Sequence, residues 1–478
     1  MARLDRVGLR ISSAFERVVP DPFVIAVLLT AVTAAIVLAV GRWPGLPPDG
    51  SRLVALLDSW RGEGGLWAFL GFSMQMSLIL VTGYALAESR PLRAVIGRLV
   101  QRPRNTAQAV FLVGVVSGGL ALVNWGLGLI AGALIARDAG ASLHRRGIRA
   151  HYPLIAAAGY LCMLVWHGGL SGSAPLKSST ARELIDTFWR ATPDVGTAEL
   201  ARLGIPDGVP LGATLGTPLN IVITAVLVVG VPAFLMLFAP ADDRDVRDIT
   251  DSTAGRPPRN QDTADHRRAS KGIPDRLFDA PLVAWLPAAA LLAAFGRYAT
   301  TEGIGRLGPN EVVMLMLGVG LVCHGSLRSY TMSAEGGARA CTGIILQFPL
   351  YAGIMAMLRD SGLIADISTW FVRAGNETTV PLMTFLSACL VNLFVPSGGG
   401  QWGIQGLIAL EAAHEAGIDP GKMIMAVAYG DQVTNMLQPF WALPLLGITG
   451  VKARDIVGYT AIAMLAAGAW IAVCLVVF

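Results

Sequence analysis

Charge is what this sequence has least of. Only 15% of its 478 residues are Asp, Glu, Lys or Arg, against about one quarter in soluble domains, and the mean hydropathy is +0.57. A chain so poor in charge and 54% hydrophobic has too little polar surface to face water all round. The small formal charge of +4 lies in the segments between apolar runs, which leaves no basic stripe for a nucleic acid. Cysteine is also sparse. Cys162, Cys323, Cys341, Cys389 and Cys474 sit in apolar surroundings without CxxC spacing, so neither a disulfide framework nor a metal site is expected. HExxH, GxSxG and close pairs of acids within apolar runs are missing, which argues against an intramembrane enzyme. No catalytic residue, metal ligand or cofactor is expected.

What the chain does have is a succession of runs without Asp, Glu, Lys or Arg, at 22–41, 64–87, 105–136, 150–176, 208–240, 340–358, 378–410 and 456–478. A run of about 20 apolar residues crosses a bilayer, so the lipid bilayer is the expected surroundings. The first run, from Phe23 to Val40, has no small-residue cleavage site and is expected as a retained span. Arg3, Arg6, Arg10 and Arg17 before it, and Arg90, Arg93, Arg98, Arg102 and Arg104 after the second, place both segments in the cytoplasm by the positive-inside rule. Run 105–136 is bounded on its far side by Arg137, Arg145, Arg146 and Arg149, so both of its ends face the same compartment. Two spans need about 40 residues plus a turn, which 105–136 does not supply, and a re-entrant hairpin turning at Asn124, Trp125 and Gly126 is expected instead. Segment 241–276, with eight Lys/Arg and eight Asp, reads as a flexible cytoplasmic linker.

The halves on either side of that linker resemble each other. Gln75 to Ser89 matches Gln347 to Ser361 at the same spacing, and Asn124-Trp125-Gly126 matches Gln401-Trp402-Gly403. The expected fold is an all-α integral membrane protein of about nine transmembrane helices plus two re-entrant hairpins in an inverted repeat. The first repeat is 1–240, with its hairpin at 105–136 and a broken span at 150–176. The linker and an extra span at 277–310 follow. The second repeat is 311–478, with its hairpin at 378–416 and a broken span at 421–446. The N-terminus is expected in the cytoplasm and the C-terminus outside.

The chemistry is expected where glycine and polar residues interrupt apolar runs. Asn392, Pro396, Ser397, Gly398, Gly399, Gly400, Gln401 and Trp402 cannot continue one helix, and a broken helix at membrane depth leaves backbone N–H groups that suit a carboxylate. Ser171, Gly172 and Ser173 in the first broken span, Asn435 and Gln438 in the second, and Asn124, Trp125 and Gly126 complete the substrate-binding candidates. Asp431 is the one acid between Lys422 and Lys452, and a buried acid is a functional candidate by default. With Gln432 and His167 it forms the set expected to couple transport to a cation. The bland alternatives are a glycine hinge, helix–helix hydrogen bonding and an acceptor that caps broken backbone. Neither hairpin carries Lys or Arg, nor does a broken span before its end, so an anion would be held by helix ends, amides and hydroxyls beside a co-bound Na+ or H+.

Asp21-Pro22-Phe23, Asn124-Trp125-Gly126, the run Gly168 to Leu176, Val395 to Gly400 and the run Gln438 to Pro444 together resemble the bacterial short-chain fatty acid transporter family. The sequence departs from that pattern at His167 and Gln401, where the family would place glycine and histidine. The resemblance implies uptake of a small carboxylate anion such as acetoacetate or butyrate, a bacterial inner-membrane location, a homodimer, and a scaffold against which a transport domain moves. A dicarboxylate carrier, a channel and an intramembrane enzyme remain as alternatives.

Overall fold

The computed structural model describes residues 4–251, 272–303, 308–339, 341–395 and 397–478; Pro396 and the middle of the expected linker lie outside the described residues. Every regular element among them is a helix. Nine are long and apolar enough to cross a membrane: Pro22–Val40, Leu70–Glu88, Thr106–Val123, Trp125–Arg145, Tyr152–Ser178, Pro218–Phe238, Pro281–Thr301, Thr342–Asp360 and Ala453–Val477. The number agrees with expectation, but the membership differs. Both arms of the first hairpin reach spanning length, whereas Pro309–His324 has only 16 residues and the second broken span divides into Pro420–Thr434 and Pro439–Thr449.

Local chemistry sets the first hairpin. The Asn105 side chain accepts from Gln108 N at 2.9 Å to start one arm, and Asn124 ends it. Asn124 Oδ1 then accepts from Gly126 N at 2.9 Å and Leu127 N at 3.2 Å, so one residue closes the first arm and caps the second. The arms run back along each other. A Cβ on Gly128 would lie 2.6 Å from Ala121 Cβ, and one on Gly132 would lie 2.7 Å from Ser117 Cβ. The second arm continues past Ala136, the expected end, because Arg137 is neutralised where it stands. It bonds Glu88 at 3.1 Å and Asp138 at 2.9 Å and lies over the Tyr84 ring at 5.7 Å.

The order of elements repeats. Leu70–Glu88, Arg90–Val100, the first hairpin, a broken span and Pro218–Phe238 are followed later by Thr342–Asp360, Leu363–Ala374, a second hairpin of Val380–Asn392 and Gly398–Ala416, a broken span and Ala453–Val477. The outer helices leave apolar side chains exposed: Leu282 and Leu286 are each 77% exposed. The broken spans form the centre, where residues 150–167 and 423–436 are all buried. The linker begins docked rather than free. Tyr152 N donates to Arg247 O at 2.8 Å, Arg149 reaches Val246 O at 3.1 Å, and His144 Nδ1 lies 2.7 Å from Asp248 Oδ2.

Candidate functional site

In the first broken span, helix Tyr152–Gly159 tightens into the short turns Tyr160–Leu164 and Trp166–Gly168, opens, and resumes as Ser173–Ser178. Glycine is required in the gap. A Cβ on Gly169 would lie 2.3 Å from Leu122 O, and one on Gly172 2.4 Å from His167 O. Leu170 N donates to Leu122 O at 2.7 Å, and Trp125 N donates to Ser171 Oγ at 3.0 Å, so this break rests on the tip of the first hairpin. The freed Gly168 carbonyl accepts from Asn220 Nδ2 at 3.1 Å, and the Tyr429 hydroxyl holds Asn220 Oδ1 at 3.0 Å.

The second broken span opens at Asn435 to Gln438. Asn392, from the second hairpin, donates to Asp431 O at 2.6 Å, Thr434 Oγ1 at 3.0 Å and Asn435 Oδ1 at 2.9 Å, while the Gln438 side-chain amide donates back to Asn392 O. The two breaks face one another. Tyr160 of the first places its hydroxyl 2.9 Å from Asn435 O and 3.1 Å from Gln438 O of the second.

Where they cross, His167 Nε2 lies 3.1 Å from Asp431 Oδ1, and His167 N donates to Gln432 Oε1 at 3.1 Å. His167 is 1% and Asp431 2% exposed. Asp431 Oδ2, His167 Nδ1, Gln432 Nε2 and Asn435 Nδ2 have no hydrogen-bond partner among the described residues. Native interiors leave few polar atoms in that condition, each costing roughly 1–3 kcal/mol, so these four are the candidates for a partner such as water or a ligand.

The tip of the second hairpin closes on this cluster. A Cβ on Gly398 would lie 2.8 Å from His167 Nε2 and 3.0 Å from Trp166 Cη2, so only glycine fits. Ser397 Oγ accepts from Gly400 N at 3.2 Å, but the amides of Gly398 and Gly399 have no partner among the described residues. Ser397 thus caps the third amide of this helix, as Asn124 caps the other tip, and leaves the first two amides as candidate donors. An apolar wall adjoins it. A Cβ on Gly400 would meet Met355 Sδ at 3.0 Å, and Trp441 stacks edge-on against Trp125 at 5.3 Å and Phe440 at 5.2 Å.

The structure thus brings together His167, Ser397, Gly398, Gly399, Gly400, Asp431 and Gln432, with Asn392, Asn435 and Gln438 directly behind. Ser171, Gly172, Asn124, Trp125 and Gly126 shape the contact between the first tip and the first break, and Ser173 opens the resumed helix half-buried. Gln401 turns inward, donating to Ala388 O at 3.0 Å and Gln405 Oε1 at 2.8 Å, and Trp402 packs on Phe188 at 5.9 Å, so both brace the hairpin. Pro396 lies outside the described residues. Sequence reasoning missed Asn220, Tyr160, Tyr429 and Lys177. Lys177 stands four residues after Ser173, one helical turn on, which is the signal that would have placed it beside the break.

The family model for "Short chain fatty acid transporter" matches residues 3–478. A relative from Escherichia coli (strain K12), "Putative short-chain fatty acid transporter", is 35% identical over 478 residues, covering 99% of this chain and all of its own length. One of the same name from Haemophilus influenzae is 35% identical over 463 residues, 97% of each chain. Among solved structures, the YdaH transporter of Alcanivorax borkumensis is similar over 95% of this chain and 98% of its own, with a TM-score of 0.42 and 16% identity. MtrF of Neisseria gonorrhoeae is similar over 97% of each chain, with a TM-score of 0.40 and 18% identity.

Proposed function

The chain belongs to the short-chain fatty acid transporter family, and from that premise we propose that it is a secondary active transporter carrying short-chain monocarboxylates, of the acetoacetate and butyrate kind, across the bacterial inner membrane together with a proton or Na+. In this reading the hairpins are re-entrant and the halves inverted, with the N-terminus in the cytoplasm and the C-terminus outside. The hairpins and broken spans move as a unit against the outer helices, and the assembly is a homodimer.

One observation carries the coupling. Gly398 and Asp431 Oδ1 both lie against the same His167 nitrogen, at 2.8 Å for a Cβ on Gly398 and 3.1 Å for the carboxylate. A substrate carboxylate at the Gly398–Gly400 amides would therefore sit within a few ångströms of Asp431. Two ionised carboxylates that close in a buried site repel strongly. Substrate binds when Asp431 has been neutralised by a proton, shared with His167, or by a cation at its free oxygen. The proton or cation and the anion then have to cross together. The adjoining wall of Met355, Phe440 and Trp441 suits a short alkyl or acyl tail and offers no second charge for a dicarboxylate.

The test is uptake of labelled butyrate by purified protein in liposomes. Accumulation should follow an inward proton gradient or an inward Na+ gradient and saturate with substrate. Uptake that only equilibrates butyrate under both gradients would overturn the reading in favour of a channel or uniporter.

A further inference from the structure

We propose that Lys177 is the counter-charge that receives the substrate carboxylate at the tip of the second hairpin, an assignment that rests on the carboxylate reading above. A Cβ on Gly399 would lie 3.4 Å from both Cε and Nζ of Lys177, so the ammonium group stands directly over the first turn of helix Gly398–Ala416. The N-terminus of a 19-residue helix carries partial positive charge, and here two of its amides have no partner among the described residues. Setting a half-buried ammonium against that end places positive charge on positive charge. Lys177 has no ion pair or hydrogen bond with any described residue; the carboxylate of Glu183 acts on it only from beyond ion-pair distance, and Arg190 opposes it. An anion between the ammonium and the helix end relieves both at once, accepting from the Gly398 and Gly399 amides on one side and from Nζ on the other.

A second observation points the same way. The Trp166 ring, 3% exposed and packed against Gly398, has an indole N–H with no partner among the described residues. Lys177 also divides the labour at the site. It attracts the carboxylate, while Asp431, at the His167 nitrogen that Gly398 also faces, governs whether the carboxylate can stay.

The experiment uses butyrate and its neutral isostere butyramide on the full chain. In liposomes, Lys177→Gln should raise the KM for butyrate about tenfold or more, the loss of one hydrogen bond to a charged group, while the maximal rate changes little and Lys177→Arg recovers most of the loss. A Lys177→Gln protein with unchanged KM overturns the proposal. In wild-type protein, butyrate should shield Lys177 from an amine-reactive reagent, read by mass spectrometry, and butyramide should not. This needs no variant to fold, and equal labelling with and without butyrate also overturns the proposal. Wild-type protein that neither moves butyrate nor is shielded by it defeats the monocarboxylate reading itself. Transport with no shielding and no change in KM defeats only the role of Lys177.

Discussion

His167 and Asp431 stand 264 positions apart, one in each broken span, and meet at 3.1 Å with a second carboxylate oxygen left without a partner. A carboxylate that merely capped broken backbone would spend its oxygens on backbone amides. Asp431 makes no such bond among the described residues, and it is its own carbonyl that Asn392 holds. That arrangement is what the proposed coupling role requires.

Asp431→Asn preserves size and a hydrogen bond to His167 while removing the charge. Butyrate accumulation driven by an imposed gradient should fall to simple equilibration, and exchange of internal for external butyrate should persist, because exchange releases no coupling ion. Accumulation at the wild-type level would return Asp431 to a structural role.

The outline of this fold was legible because spans are written in uncharged runs, and the helices do begin and end near them. The exceptions have local causes. Arg137 continues a helix past the expected boundary because Glu88 and Tyr84, about fifty residues earlier, receive it, with Asp138 paired to Arg137 itself, and no window along the chain can see the pairing with Glu88. The glycine-rich tip and Asp431 could be found as polar interruptions of apolar sequence. Their meeting with His167 could not be read from either segment alone. It follows from two breaks crossing at the centre, where Tyr160 of one reaches the carbonyls of the other. Lys177 was passed over because it marks the end of an uncharged run and so reads as a boundary signal, although the broken helix brings that boundary to the tip.

Gly399→Ala should separate binding from folding. Its nearest neighbours would be Lys177 Cε and Nζ at 3.4 Å, an ordinary contact with the end of a flexible side chain, so yield and thermal stability should be unchanged. The methyl group stands between the amides and the ammonium, and the KM for butyrate should rise about tenfold, the equivalent of roughly one charged hydrogen bond. Wild-type KM in a stable variant would make the tip a packing element.

His151, just before the first broken span, gives a prediction for pH. It is buried, accepts from Arg247 N at 3.2 Å and pairs with the Tyr459 hydroxyl at 2.9 Å. Burial, and then the nearby Arg247 charge, push the imidazole from 6.5 down to about 3. The unfolded chain takes up this proton as pH falls through 6.5, and the folded protein does so only near 3. The contribution of His151 to stability is thus complete above pH 6.5 and drains away as pH falls toward 3, by up to about 1.4 kcal/mol per pH unit. His151→Gln keeps polar partners without the titration. Thermal unfolding in detergent should show a shallower decline between pH 6.5 and 4.5 than wild type, and parallel curves would show that the imidazole is reached by water.

Tyr160→Phe tests whether the crossing of the two breaks holds the site together. The Tyr160 side chain is buried, and its hydroxyl lies 2.9 Å from Asn435 O, which also accepts from Gln438 N at 3.0 Å, and 3.1 Å from Gln438 O. Removing the oxygen leaves the Gln438 carbonyl short of a donor among the described residues and the Asn435 carbonyl with Gln438 N alone, at a cost of about 1–3 kcal/mol. The ring still fills its space, so the loss should appear as lower thermal stability rather than as collapse. Asn435 also receives Asn392 from the second hairpin, so slack at its carbonyl loosens the support of the Gly398–Gly400 tip. Butyrate should then bind more weakly to Tyr160→Phe and restore part of its lost stability at saturating concentration, since a ligand that bridges the tip re-orders what the hydroxyl had held. A variant with wild-type melting and wild-type KM would mean that the two halves are fixed to one another elsewhere and that the break carbonyls are served by water.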